Sequence, residues 1–102
     1  MTATAYAHID LRADGSPMIA GTRKKVVLLV MDWFEAGQDV ATIQHAYPDL
    51  SLGQIYSTLA YYHDHKDALD AEITRRRDRA ETLREELEDP SFVARLGAGP
   101  SE

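Results

Sequence analysis

Residues 38–62 read QDVATIQHAYPDLSLGQIYSTLAYY, and this stretch decides the fold. It predicts two short helices joined by a tight turn. Asp39 is a good N-cap for the first, and Val40, Ile43 and Tyr47 give that helix one apolar stripe. Pro48 forbids its continuation, because a proline lacks the N–H that the next turn requires. The second start is marked more strongly. Ser51 caps while Gln54, three residues on, reaches back, and Leu50 and Ile55 stand where a hydrophobic staple would hold the entering chain. Leu52, Ile55, Leu59 and Tyr62 then continue an apolar stripe at spacings of three, four and three. Two helices joined by so short a turn have helix-turn-helix geometry.

Upstream, residues 6–12 alternate, with Ala7, Ile9 and Leu11 on one side and His8, Asp10 and Arg12 on the other, which is a strand pattern. Asp14-Gly15 predicts a two-residue hairpin turn, and Pro17, Met18 and Ile19 a short return strand. Gly21 breaks it. Residues 26–36 are apolar in eight of their first nine positions, interrupted by Asp32. With Gly37 as the residue beyond the cap, they read as a helix ending at Ala36. A helix apolar on nearly every side belongs in a core or in a dimer interface. Leu29, Trp33 and Phe34 are its candidate interface residues, and a homodimer is the expectation.

Downstream the character changes. Residues 66–89 read as a long charged helix stopped by Pro90, with Leu69, Ile73, Ala80, Leu83 and Leu87 on a repeat of about 3.5 residues. Its basic cluster Arg75, Arg76, Arg77 and Arg79 precedes the acidic Glu81, Glu85, Glu86, Glu88 and Asp89. Anions at a helix C-terminus oppose the dipole. The organisation expected is therefore a frayed segment 1–5, a β-hairpin plus helix-turn-helix-like three-helix domain over 6–65, the charged helix 66–89, and a flexible tail 90–102.

Charge limits what such a chain binds. The 102 residues carry a formal charge of −6 with a pI near 5.1. Between Lys25 and Lys66 there are five acidic residues and no Lys or Arg. Non-specific DNA affinity comes mainly from cations neutralising phosphates, so phosphate contacts would fall to Arg12, Arg23, Lys24 and Lys25. Gln54, Ser57 and Tyr61, opposite the apolar stripe, would read base edges or bond phosphate. There is no cysteine, hence no disulfide or thiolate site, which fits a reducing cytoplasm. The apolar run at 26–31 is far too short to span a membrane. No phosphate-binding loop, dinucleotide fingerprint, nucleophile elbow or zinc spacing occurs. His63 and Asp67 could share a helix face but lack a third ligand. No catalysis, cofactor or metal is expected.

Pro17, Ile19, Gly21-Thr22-Arg23, Ala36-Gly37, Tyr47-Pro48, Leu50, Leu59, Tyr61-Tyr62 and His65 fall in an order that resembles a small bacterial family of domains of unknown function. Members of that family are assigned as VapB-like antitoxins beside PIN-like ribonuclease toxins. The resemblance covers residues 8–67 and implies a dimeric, helix-turn-helix-like fold with an N-terminal β element. It also implies a protein toxin as partner and operator DNA as a second ligand. Lys24-Lys25 and Tyr56 depart from the pattern, the first adding charge and the second standing where a basic residue is expected. On this reading the toxin contact is the segment 81–96, anchored by Phe92, Val93 and Leu96. A stand-alone helix-turn-helix regulator and a dimeric scaffold without nucleic acid are the alternatives.

Overall fold

A computed structural model describes residues 2–91 and residue 94. It is mostly helical, with a small antiparallel sheet at the N-terminal end. Strands β1 (Thr2–Ala3), β2 (Ile9–Leu11) and β3 (Pro17–Ile19) lie in the order β1-β2-β3. Helices α1 (Val26–Glu35), α2 (Val40–Ala46), α3 (Leu52–Asp64) and α4 (Lys66–Glu88) follow. The chain divides after Asp70 into two compact units.

Three details of the sheet differ from expectation. Residues 2 and 3 are not frayed: Thr2 pairs with Leu11 and Ala3 with Asp10, adding a third strand. The strand expected from residue 6 begins only at Ile9. Before it, Thr4 Oγ1 accepts from the Tyr6 N–H at 3.1 Å and donates to the Ile9 carbonyl at 2.7 Å, closing a loop in which His8 has φ 66. The alternation therefore marks only part of a strand, because the Thr4 hydroxyl offers the backbone a competing turn. The hairpin loop also has three residues, 13–15. The Arg12 N–H donates to Ser16 C=O and the Gly15 N–H to Arg12 C=O, both at 2.9 Å, with Gly15 at φ 88. A turn followed by a left-handed glycine is the next commonest hairpin connection after the two-residue one.

The sheet does not stand alone. β3 packs on α1 and β2 on α3, while α1, α2 and α3 pack on one another. Ile9, Met18, Ile19, Val26, Val27, Leu29, Val30, Trp33, Ile43, Leu50, Ile55, Leu59 and Tyr62 form one buried core. Helix starts and stops follow their local chemistry. α1 ends in a Schellman motif, in which the Gln38 N–H donates to Trp33 C=O at 2.8 Å and the Gly37 N–H to Phe34 C=O at 3.0 Å. Gly37 lies at φ 69 there, where a side chain would be strained. Asp39 accepts from the Ala41 N–H at 3.2 Å and caps α2. The capping box of α3 is complete: the Gln54 N–H donates to Ser51 Oγ at 3.1 Å, and the Ser51 N–H to Gln54 Oε1 at 2.8 Å.

The expected stripe on α3 is corrected at its first member. Ile55, Leu59 and Tyr62 are buried, but Leu52 is 44% exposed, and Thr58 fills the fourth buried position. Thr58 is accommodated because its hydroxyl donates to the Gln54 carbonyl at 2.8 Å, leaving only its methyl for the core.

Candidate functional site

Two surfaces carry the residues singled out from the sequence. The first is α3 with the segments packed beside it. Gln54, Ser57 and Tyr61 share one side of the helix, as the spacing requires, and all three are half-buried. Gln54 is engaged twice, through the capping box and through Nε2, which donates to the Ala20 carbonyl at 3.5 Å. Tyr61 stacks on His65 with ring centres 4.0 Å apart and planes 13° off parallel. Tyr6 sits edge-on to both, at 5.1 and 5.7 Å, and its hydroxyl donates to Asp64 at 2.7 Å. That bond is the main cause raising the Tyr6 hydroxyl above its ordinary pKa. At Gly53 a Cβ would stand 3.4 Å from His8 Nε2. The N-terminal segment thus lies against the side of α3 that was expected to face a ligand. The open side carries Leu52, Tyr56, Ala60 and His63, with Tyr56 56% exposed.

The four cations lie on neighbouring loops. Arg12 and Arg23 are exposed, and Lys24 and Lys25 are half-buried. The Lys24 ammonium lies 5.9 Å from the centre of the Tyr47 ring, and Lys25 pairs with Met18 just before α1. The Asp14 carboxyl is held below its usual value, first by hydrogen bonds from Ser16 and then by the charges of Arg12 and Lys25. The loop that follows β3 and bears Arg23 and Lys24 meets the start of α3 through the Ala20–Gln54 bond.

The three residues expected at a dimer interface are used inside the chain. Leu29 is 1% and Trp33 8% exposed, and Phe34 is half-buried, its ring 5.3 Å from Trp33 and 5.7 Å from Tyr62. The physical reason is that the sheet, α2 and α3 cover α1 on most sides, which the apolar run alone could not reveal. α1 leaves Leu28 outside, 43% exposed. The Trp33 indole nitrogen has no hydrogen-bond partner among the described residues.

The junction of α3 and α4 holds a network that the sequence reading missed. The Tyr62 hydroxyl donates to Asp70 Oδ1 at 2.7 Å, and the Lys66 ammonium reaches Asp70 Oδ2 at 2.6 Å. Lys66 and Asp70 stand four apart, the one signal that could have found it. Residues 63–68 line a shallow groove of about 330 Å³. Among the described residues no three His, Asp or Glu are placed to hold a metal.

The second surface is the part of α4 beyond Asp70. Ile73 is buried there, whereas Leu83 and Leu87 are 54% and 48% exposed. Glu72 pairs with Arg75 at 2.6 Å and Arg76 at 2.8 Å, and Glu81 with Arg84. Phe92, Val93 and Leu96 lie outside the described residues. No helix among the described residues is long and apolar enough to cross a membrane.

A family model described as protein of unknown function (DUF433) matches residues 11–62, from β2 through most of α3. No curated protein and no solved structure matches the chain.

Proposed function

We propose that this chain, which belongs to the family described as protein of unknown function (DUF433), is the antitoxin of a type II toxin–antitoxin pair. It acts in the cytoplasm as a homodimer and binds a PIN-like ribonuclease toxin through its C-terminal segment. The observation that carries the reading is α4 beyond residue 80. Leu83 and Leu87 stand about half exposed among Glu81, Glu85, Glu86, Glu88 and Asp89. An apolar stripe bordered by anions suits a cationic cleft with an apolar floor, as an RNA-cleaving enzyme needs for its polyanionic substrate. Phe92, Val93 and Leu96, at spacings of one and three, add anchors of the kind that dominate interface energies.

The test is a chain ending at Asp89. It should keep the thermal transition of the N-terminal domain and lose the ability to neutralise the cognate ribonuclease in growing cells. Neutralisation by the shortened chain removes Phe92, Val93 and Leu96 from the contact, and neutralisation by a shortened chain that also carries Leu83→Asp and Leu87→Asp overturns the assignment. Copurification from the native host identifies the toxin.

Operator DNA is a second ligand on this reading. It is favoured by the Ala20–Gln54 contact, which joins the loop carrying Arg23 and Lys24 to the start of α3. With Gln54 and Tyr61 already engaged, Tyr56 on the open side joins Ser57 as a candidate for base or phosphate contact. A stand-alone regulator would bind DNA with no toxin; a scaffold would bind neither.

A further inference from the structure

Beyond Ile73, α4 carries two features along its exposed length. Ala80, Leu83 and Leu87 recur at spacings of three and four, which at about 100° per residue places them on one stripe. Charge is also segregated along the axis. Residues 75–79 hold four arginines and one aspartate, and residues 81–89 hold five acidic residues and one arginine. Arg75, Arg76 and Arg84 are held by glutamates of the same helix. Arg77, Arg79, Glu86 and Glu88 have no ion pair among the described residues.

We propose that a second copy of this helix covers the stripe, running antiparallel to the first. The heptad sets the register: residues 76 and 83 take one core position, and 80 and 87 the other. Antiparallel packing brings Ala80 level with the partner's Leu83, and the stem of Arg76 level with the partner's Leu87. In that register Arg79 flanks the partner's Glu86, and Arg77 flanks the partner's Glu88. Two arginines without an ion pair among the described residues thereby meet two such glutamates, while Glu85 and Asp89, also without one there, stay outside the seam. A parallel pair would instead set each arginine beside its own copy and each glutamate beside its own, which is unfavourable. The overlap covers residues 74–89, roughly 22 Å of helix. The pairing stands apart from the toxin reading: it is measured with no toxin present, so the two fail separately.

The chain has no cysteine, so a single introduced thiol reports geometry cleanly. In the full-length protein, Ala80→Cys should form a disulfide-linked dimer under mild oxidation. Leu87→Cys should not, because antiparallel packing separates those two thiols by about 16 Å along the axis. Equal or faster cross-linking of Leu87→Cys means a parallel pair and overturns the proposal. In sedimentation equilibrium, Arg77→Glu with Arg79→Glu should weaken self-association about tenfold, and adding Glu86→Arg with Glu88→Arg should restore it to within about twofold. A wild-type protein that stays monomeric at several hundred micromolar, reversal without effect, or a fourfold variant that fails to recover each overturns it.

Discussion

The Tyr62 hydroxyl donates to Asp70 at 2.7 Å and so ties the last turn of α3 to the first turn of α4. Tyr62 is 1% exposed, so its ring belongs to the core while its hydroxyl reaches a half-buried carboxylate. Burial first, then the bond to Asp70, raises the tyrosine above its ordinary pKa. Hydrogen bonds from Lys66 and then Tyr62 lower that of Asp70.

Asp70 makes this junction acid-sensitive. A carboxylate whose folded pKa is depressed contributes stability above its unfolded value and loses it as pH falls through the folded one. The contribution is therefore present at neutral pH and disappears below the ordinary value of 3.8. Thermal melts from pH 6 down to pH 2 should fall less steeply for Asp70→Asn than for wild type. Parallel curves would mean that Asp70 is not held in this way. Tyr62→Phe, which leaves Asp70 with Lys66 alone, should cost about 1 kcal/mol at neutral pH.

At the other extreme of pH, Tyr47 dominates. Burial first, then donation to Asp32, pushes its pKa up to about 12 from 10.0. For a group whose folded pKa is raised, the contribution is intact below the unfolded value and lost as pH rises through the folded one. Stability should thus decline between pH 10 and pH 12. Tyr47→Phe should remove that part of the decline, measured by urea unfolding across the range against the wild type.

The corrected stripe on α3 separates two leucine-sized positions. Ile55→Ala, at a fully buried site, should cost about 3 kcal/mol. Leu52→Ala, at a site 44% exposed, should change stability by no more than about 0.5 kcal/mol. Equal losses in denaturant unfolding would return Leu52 to the core.

Gly37→Ala isolates backbone strain. A Cβ there meets nothing within 4 Å, yet φ is +69. The substitution should cost about 1 kcal/mol through conformation alone. A neutral result in calorimetry would show that the Schellman end of α1 relaxes without penalty.

For the DNA reading, Arg23→Ala, Lys24→Ala and Lys25→Ala together should reduce the slope of log affinity against log salt by roughly 2 to 3. An unchanged slope on the protein's own upstream region would move the phosphate contacts elsewhere.

What the residues determined unaided was local. Gly37 fixed where α1 stops, Asp39 and Pro48 where α2 starts and stops, and the Ser51/Gln54 box where α3 starts, because capping involves atoms within a few residues of one another. The apolar period likewise fixed which side of α3 enters the core. Tertiary structure decided what covers the remaining sides. Periodicity gives the angle between Gln54 and Ile55 on the helix, but not that Tyr6, His8 and Ala20 come back from the N-terminal end to lie along Gln54 and Tyr61. The same limit governed α1. Eight apolar residues in nine say that a helix must be covered, and Leu29 and Trp33 give no sign of whether their own chain or a second copy does it. That choice depends on how β3, α2 and α3 pack on α1, which is set by contacts distant in sequence.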